Sequence, residues 1–337
     1  MSRRRPTIAD VARRAGVSAA AVSFAVNDRP GVSSGTRARI LEAARELGWR
    51  PSASARALTE AKTRAIGLVL ARDAEQLELD AFFVRFLAGI ERALTEADYA
   101  LLLQLVPGGA GAALPAYERL AAAGRVDGFL LTDVELDDPR YALLQAAGVP
   151  VVLAGRPAGE CPFEWVETRH EEGMREPVEH LAALGHERIA FFGGRADFEH
   201  VQVRTDRWRE AVEAVGVEEG LVVHADDAEA AAAADVLLSV GPTAVVCASD
   251  VLALAVVVAA RARGLDVPGD VSVTGFDDSP LAALASPGLT SVRVDYGELG
   301  EAAAGTLLAA IGVRAAPDFR PSAPELVVRA STGAPRR

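Results

Sequence analysis

The sequence predicts an all-α head carrying a helix-turn-helix, followed by an α/β body of two lobes, each a doubly wound parallel sheet. Three observations lead there. Residues 1–64 hold 13 Lys and Arg against 5 acids, a balance of +8, whereas the rest holds 22 against 42, a balance of −20. A basic head on an acidic body points to nucleic-acid contact confined to the head. The apolar rhythm then changes near residue 64, from helical spacing to short strand-like runs separated by amphipathic windows. Finally, the roughly 270 residues of that second part exceed what one doubly wound sheet needs.

The head reads as three short helices. Thr7 precedes Ile8, Val11, Ala12 and Ala15, spaced for one helical face, and Thr7-x-x-Asp10 resembles a capping box with Asp in place of Glu. Gly16 ends that helix, because glycine takes the left-handed conformation a sharp turn needs. In AGVSAAAVSFAVND, residues 15–28, Ser18 caps a second helix over 19–26, with Val22, Ala25 and Val26 facing inward. A third runs from about Thr36 to Leu47, with Ile40, Ala44 and Leu47 inward and Gly48 at its end. The glycine turn before a Ser-capped helix is the corner of a helix-turn-helix, whose second helix offers its outer face to base edges in the major groove. The alternative is an ordinary helical hairpin; the surrounding Arg13, Arg14 and Arg29 favour the first reading. RPSASARALTEAKTR, residues 50–64, is small and polar enough for a linker.

Strands are expected at 65–71, 99–105, 126–132, 149–154, 188–194, 221–225, 243–249 and 271–276, with helices around 81–97, 114–123, 139–147, 171–184, 204–215, 228–239, 250–263 and 297–311. This alternation means parallel sheets covered on both faces. Two cysteines, Cys161 and Cys247, are too few for a disulfide framework or zinc site and read as buried thiols. The N-terminus has charge but no apolar core of a signal peptide, and the most apolar window, 244–260, contains Asp250, which argues against a membrane span. A soluble, cytoplasmic protein is expected, nucleoid-associated when on DNA. His170, His180, His186, His200 and His224 show no ligand spacing, and most fall on polar helix faces or turns. No G-x-S-x-G elbow, P-loop or G-x-G-x-x-G is present, so neither catalysis nor a cofactor or metal is expected.

TIADVARRAGVSAAAVSFAVND, with GVSSGTRARILEAARELGWRPSASARAL behind it, resembles the lactose-repressor (LacI/GalR) family of bacterial transcription regulators. VDGFLLT, GVPVVLAGRP, LGHERIAFFGG, the stretch from ASDVLALAV to GFDDSPLA, LTSVRVD and PELVVRAST follow in the family's order, so the resemblance spans nearly the whole chain. It implies a periplasmic-binding-protein-like body and a head that binds double-stranded operator DNA as a homodimer. It implies domains at 1–49 (head), 50–63 (hinge), 64–162 plus 293–322 (first lobe) and 163–292 plus 323–337 (second lobe). A repressor with a small polyhydroxylated effector, such as a sugar, in the interlobe cleft is the expected function.

The resemblance also assigns residues. Arg56 and Leu58 match the hinge motif, which at about two turns is too short to be stable alone and is expected to fold when two copies pack over the minor groove. Leu58 would wedge into a base step. Ser52 stands where the family usually has Asn. The base-selecting positions are Ala19, Ala20 and Phe24, none a hydrogen-bond donor, so shape and methyl contacts are expected to outweigh polar readout. Ala21 replaces a common Thr. Phosphate anchoring falls to Ser18, Ser23, Asn27, Arg29 and the helix N-termini, the first of them at Thr7. Four body positions match effector contacts: Arg204, Ser249 (often Asn in the family), Asp250 and Asp277. For Arg204 the alternative is a helix-surface salt bridge, for Asp250 an N-cap and for Asp277 an Asx-turn. Trp165 is a candidate for stacking on a pyranose, or else a core residue. Val166-Glu167-Thr168 and Val294 depart from the family pattern and loosen any transfer of a named sugar.

Overall fold

Thr7, Gly16 and Ser18 lay out the head as the sequence suggests. In the computed structural model, which describes residues 6–26, 29–49, 62–72, 81–157 and 159–336, α1 spans Ile8–Ala15, α2 Ala19–Val26 and α3 Ser34–Leu47. Thr7 and Asp10 form a complete capping box: Asp10 N donates to Thr7 Oγ1 at 3.4 Å and Thr7 N to Asp10 Oδ2 at 2.9 Å. Gly16 closes α1 at φ +68°. Ser18 Oγ accepts from Ala21 N at 3.2 Å and so starts α2. Helix α3 begins two residues before Thr36 because Ser33, not the chain near Thr36, supplies its cap. Val11, Val22 and Ile40 are fully buried at the centre of the head core, with Ala12, Ala25, Ala43 and Ala44 around them. Val26 and Leu47, expected inside, lie half-buried at its edge. Asn27, Arg56 and Leu58 lie outside the described residues.

The body, Arg64–Arg337, is a separate unit from the head, Met1–Thr63. Its first lobe is a five-stranded, all-parallel sheet of β1 (Ala65–Leu70), β2 (Ala100–Leu105), β3 (Gly128–Leu131), β4 (Val151–Ala154) and β5 (Glu164–Val166), ordered β2-β1-β3-β4-β5. Helices α4 (Ala81–Glu96), α5 (Ala110–Ala122) and α6 (Arg140–Ala147) cover it. The second lobe carries β6 (Arg188–Gly193), β7 (Glu218–His224), β8 (Ala244–Cys247), β9 (Ser272–Phe276), β10 (Thr290–Arg293) and β11 (Glu325–Val327), ordered β11-β10-β9-β8-β6-β7 with only β11 antiparallel. Its helices are α7 (His170–Ala183), α8 (Glu199–Val215), α9 (Ala230–Ser239), α10 (Asp250–Ala262) and the short α11 (Pro280–Leu284). After β10 the chain returns to the first lobe as α12 (Tyr296–Ala310), packed on α4 and against β3, β4 and β5.

Every run read as a strand forms one. The missed strands, β5, β10 and β11, are three or four residues long, too short for a period-2 pattern to register. Because β5 pairs with β4, the first sheet extends to Val166 and the chain leaves it at 167–169, beyond the expected boundary at 162/163. Cys247 is fully buried, but Cys161 is only half-buried, correcting the reading of both as core thiols. Val294 is buried in the core.

Candidate functional site

The strand orders locate the site before any side chain is considered. In the first sheet the winding reverses between β1 and β3, and in the second between β6 and β8. Chain leaving the carboxyl ends of strands at such a switch point leaves a crevice, the usual ligand position in an open α/β sheet. Both switch points open on the same cavity of about 190 Å³, lined by Arg72 after β1, Thr132 and Asp133 after β3, Gly194 after β6, and Ala248 and Ser249 after β8.

On the first-lobe wall, Arg72 donates to both oxygens of Asp133, Nε at 2.7 Å and Nη2 at 2.8 Å. Burial opposes ionisation of Asp133, yet the Arg72 charge and hydrogen bonds hold its carboxyl below its ordinary value. The Arg72 guanidinium also lies near the rings of Phe83 and Phe198, 5.0 and 5.6 Å from their centroids. Phe82 and Tyr296 meet edge-on at 4.8 Å, and both line the cavity.

On the second-lobe wall, Arg204 is buried on the cavity side of α8. Its Nη1 donates to the Ala248 carbonyl at 2.6 Å, its Nη2 to Tyr296 Oη at 3.2 Å, and its plane lies 4.2 Å from the Phe276 ring centroid. Tyr296 passes the chain on, donating to Asp277 Oδ1 at 2.6 Å. Asp250, at the first turn of α10, accepts from Ser279 N at 2.7 Å and from Ser291 Oγ at 2.5 Å. Burial raises the Asp250 carboxyl above its ordinary value. Only glycine fits at 275, where a Cβ would overlap that carboxylate. His200 also lines the cavity; burial, aided by the Arg204 charge, pushes its pKa down to about 3, so the ring is neutral. Among the described residues, two buried polar atoms of the lining, Thr132 Oγ1 and Arg204 Nε, have no hydrogen-bond partner, which is costly unless a ligand or solvent supplies one.

The head presents a different kind of surface. Ala19, Ala20 and Phe24 are exposed along α2, and the Phe24 ring lies against Gly31. Arg29 is exposed just past α2, its carbonyl held by Arg37 at 2.9 Å. Ser18 accepts the cap bond, so its proton can still be donated outward. Thr7 differs: its hydroxyl donates to Asp10 Oδ2 at 2.7 Å, so it is spent on the cap, not held ready for a phosphate.

Residues 7–52 match the family described as bacterial regulatory proteins, lacI family, and residues 178–332 match the periplasmic binding protein-like domain. The HTH-type transcriptional regulator MalR of Streptomyces coelicolor is 38% identical over 96% of both chains. The chain belongs to the LacI family of regulators. It is a DNA-binding transcriptional regulator, as are its relatives, which include the HTH-type transcriptional regulator CelR of Thermobifida fusca, 37% identical over 86% of this chain and 87% of that one. Among solved structures, a transcriptional regulator CelR-cellobiose complex is 34% identical, with a TM-score of 0.72 over 97% of this chain and all of that one. The lac repressor dimer bound to operator and an anti-inducer is 28% identical, with a TM-score of 0.83 over 98% of this chain and all of that one.

For this LacI-family regulator the structure gathers four of the five expected effector residues, Arg204, Ser249, Asp250 and Asp277, at one cavity. Arg204 is buried and makes no helix-surface salt bridge among the described residues, and the cap of α10 is Ser249, which accepts from Leu252 N at 3.2 Å, not Asp250. Trp165 is not among them. It sits 43% exposed on the edge strand β5, beside Phe163, Pro317 and Phe319, so its stacking role in the cleft is withdrawn. Sequence reasoning missed Arg72, Thr132, Asp133, Phe198, His200 and Tyr296 as cavity residues. Arg72 and Asp133 directly follow two predicted strands and Thr132 ends one of them, and that position alone could have singled them out. Among the described residues no cluster of His, Cys, Asp and Glu could hold a metal ion, and no helix is long and apolar enough to cross a membrane.

Proposed function

We propose that this regulator is a cytoplasmic, nucleoid-associated repressor that binds a pseudo-palindromic operator as a homodimer and responds to a small polyhydroxylated effector in the interlobe cavity, a saccharide above all. The observation that carries the effector reading is the convergence of two buried polar atoms, unpartnered among the described residues, on a cavity flanked by Phe82, Phe198 and Tyr296. Hydroxyl groups satisfy such atoms, and aromatic faces pack on the apolar side of a sugar ring. The solved relative in complex with cellobiose supports it.

In this reading Ala19, Ala20 and Phe24 meet the major-groove floor through shape and methyl contact, while Ser18, Ser23, Asn27 and Arg29 hold phosphates. Thr7 acts as a helix cap. Arg56 and Leu58 belong to the hinge, with Leu58 as the minor-groove wedge. Effector binding changes operator affinity only as far as the two lobe arrangements differ in affinity for each ligand. DNA selected from a random pool by the full chain, then titrated with saccharides, tests the whole reading. A single enriched pseudo-palindrome whose binding changes with one sugar is expected. Leu58→Ala should weaken operator binding while leaving saccharide affinity intact, and unchanged operator affinity would remove the wedge role. At 100 times its Kd an effector should stabilise the body by about 2.7 kcal/mol in thermal unfolding.

A further inference from the structure

The cavity carries more charge than a sugar site needs, yet almost none of its positive charge is available. Asp133 engages Arg72 side-on, one oxygen on Nε and the other on Nη2. Arg195 is engaged twice by Asp197 and faces Glu135 at 3.6 Å. Arg204 has two of its three nitrogens occupied by a carbonyl and a phenol, leaving Nε, which offers a single N–H. Phosphate and carboxylate groups are recognised by forked or clustered cationic donors, and nothing in the described lining presents such a fork. His200 adds no charge at neutral pH. Against the three arginines stand five aspartates, Asp227 at the exposed rim among them.

What the cavity does present suits neutral hydroxyls. The Arg72–Asp133 pair sets a donor beside an acceptor, and a hydroxyl can accept from one while its neighbour donates to the other. Thr132 Oγ1, without a partner among the described residues, is neutral and can play either part. Building on the saccharide reading above, we propose that the effector is an uncharged saccharide and that the paired charges of the cavity select against phosphorylated and acidic sugars. Asp133 is the specificity-determining residue, because it neutralises the guanidinium best placed to meet an anion.

Calorimetric titration of the full chain with matched pairs tests this: cellobiose against cellobiose 6′-phosphate, maltose against maltose 6′-phosphate, and glucose against glucuronate. The neutral member of whichever pair binds should do so at least about 30-fold more tightly than its charged counterpart, about 2 kcal/mol. Asp133→Asn, which frees Arg72 while keeping the shape of the side chain, should narrow the neutral-to-phosphate ratio about tenfold. A merely structural role for Asp133 would weaken both members alike and leave the ratio unchanged, and that result overturns the assignment of Asp133. A phosphorylated or acidic sugar that binds as tightly as its neutral parent overturns the proposal while sparing the saccharide reading. Binding of nucleosides or amino acids in the same assay, with no sugar of either kind, removes the saccharide reading and this proposal with it.

Discussion

Asp133 after β3 and Asp277 after β9 each bring a carboxylate to the cavity on a left-handed backbone, with φ of +50° and +102°. Each is followed by a buried aspartate tied to arginine, Asp138 in the first lobe and Asp278 in the second. The ties differ in kind. Asp138 is bound by Arg140 two residues away, both side chains almost wholly enclosed, and Arg140 Nη2 also donates to the Asp133 carbonyl at 2.7 Å. Asp278 is bound by Arg293 and Arg329, from distant β10 and the chain after β11, with side chains 49% and 20% exposed. One loop is thus held by a sealed local pair, the other by an open pair that draws three separate stretches of the second lobe together. Arg85 of α4 adds a tie from the first lobe, donating to the Asp277 and Asp278 carbonyls at 3.0 and 2.9 Å. An enclosed pair resists salt and gives its loop one conformation, whereas an exposed pair is screened and leaves its loop open to adjustment.

The sharpest way to break this contrast is to remove one member of the sealed pair. Arg140→Ala leaves the Asp138 carboxylate buried without its cation and should cost the body about 3–5 kcal/mol, little affected by salt. Urea unfolding at low and high salt reads it. Replacing both members by leucine should recover much of the loss, since two apolar groups need no compensation. Asp278→Asn should cost less, about 1–2 kcal/mol, because its arginines already reach solvent. Burial alone would raise the Asp278 carboxyl, but hydrogen bonds and charge from Arg329 and Arg293 hold it below its ordinary value. With the folded pKa depressed, its contribution is complete above the unfolded pKa of about 3.9 and is lost as pH falls through the folded value. Wild type and Asp278→Asn should therefore differ at pH 7 and converge below about pH 4. A gap that persists in acid would assign the effect to packing.

The same contrast explains what the sequence could show. The head was legible almost to the residue because Thr7, Gly16 and Ser18 act through neighbours three residues away, within reach of a local pattern. The long strands were legible because their apolar runs are continuous. Half the cavity was not. Arg72 meets Asp133 across 61 positions and Arg204 meets Tyr296 across 92, pairings that only the fold creates. Arg204, Asp250 and Asp277 were reached through the family resemblance, which carries non-local information the single chain lacks. Trp165 was misplaced for the converse reason: nothing local says that residues 164–166 form an edge strand of the first sheet instead of opening the second lobe.

The smallest effect on stability, and the one that most sharpens the comparison, is expected at Arg195. The two lobes meet on one side of the cavity where Leu136 N donates to the Asp197 carbonyl at 2.8 Å and Glu199 N to the Val134 carbonyl at 2.9 Å. Arg195 sits over this seam, paired with Asp197, facing Glu135, and 4.5 Å from the Phe198 ring centroid. It therefore connects the stiff first-lobe loop to the second lobe at its rim. Its side chain is 33% exposed, so Arg195→Ala should change unfolding stability by no more than about 1 kcal/mol. Its effect on effector affinity should be larger than that, because the contact joins the two lobes beside the cavity, and an effector that spans them draws on the same arrangement. Titration of the variant with the saccharide that binds wild type measures this directly. A loss of affinity no greater than the loss of stability would show that the seam is held by its backbone hydrogen bonds alone, and that the side chain at its rim takes no part in closing the cavity.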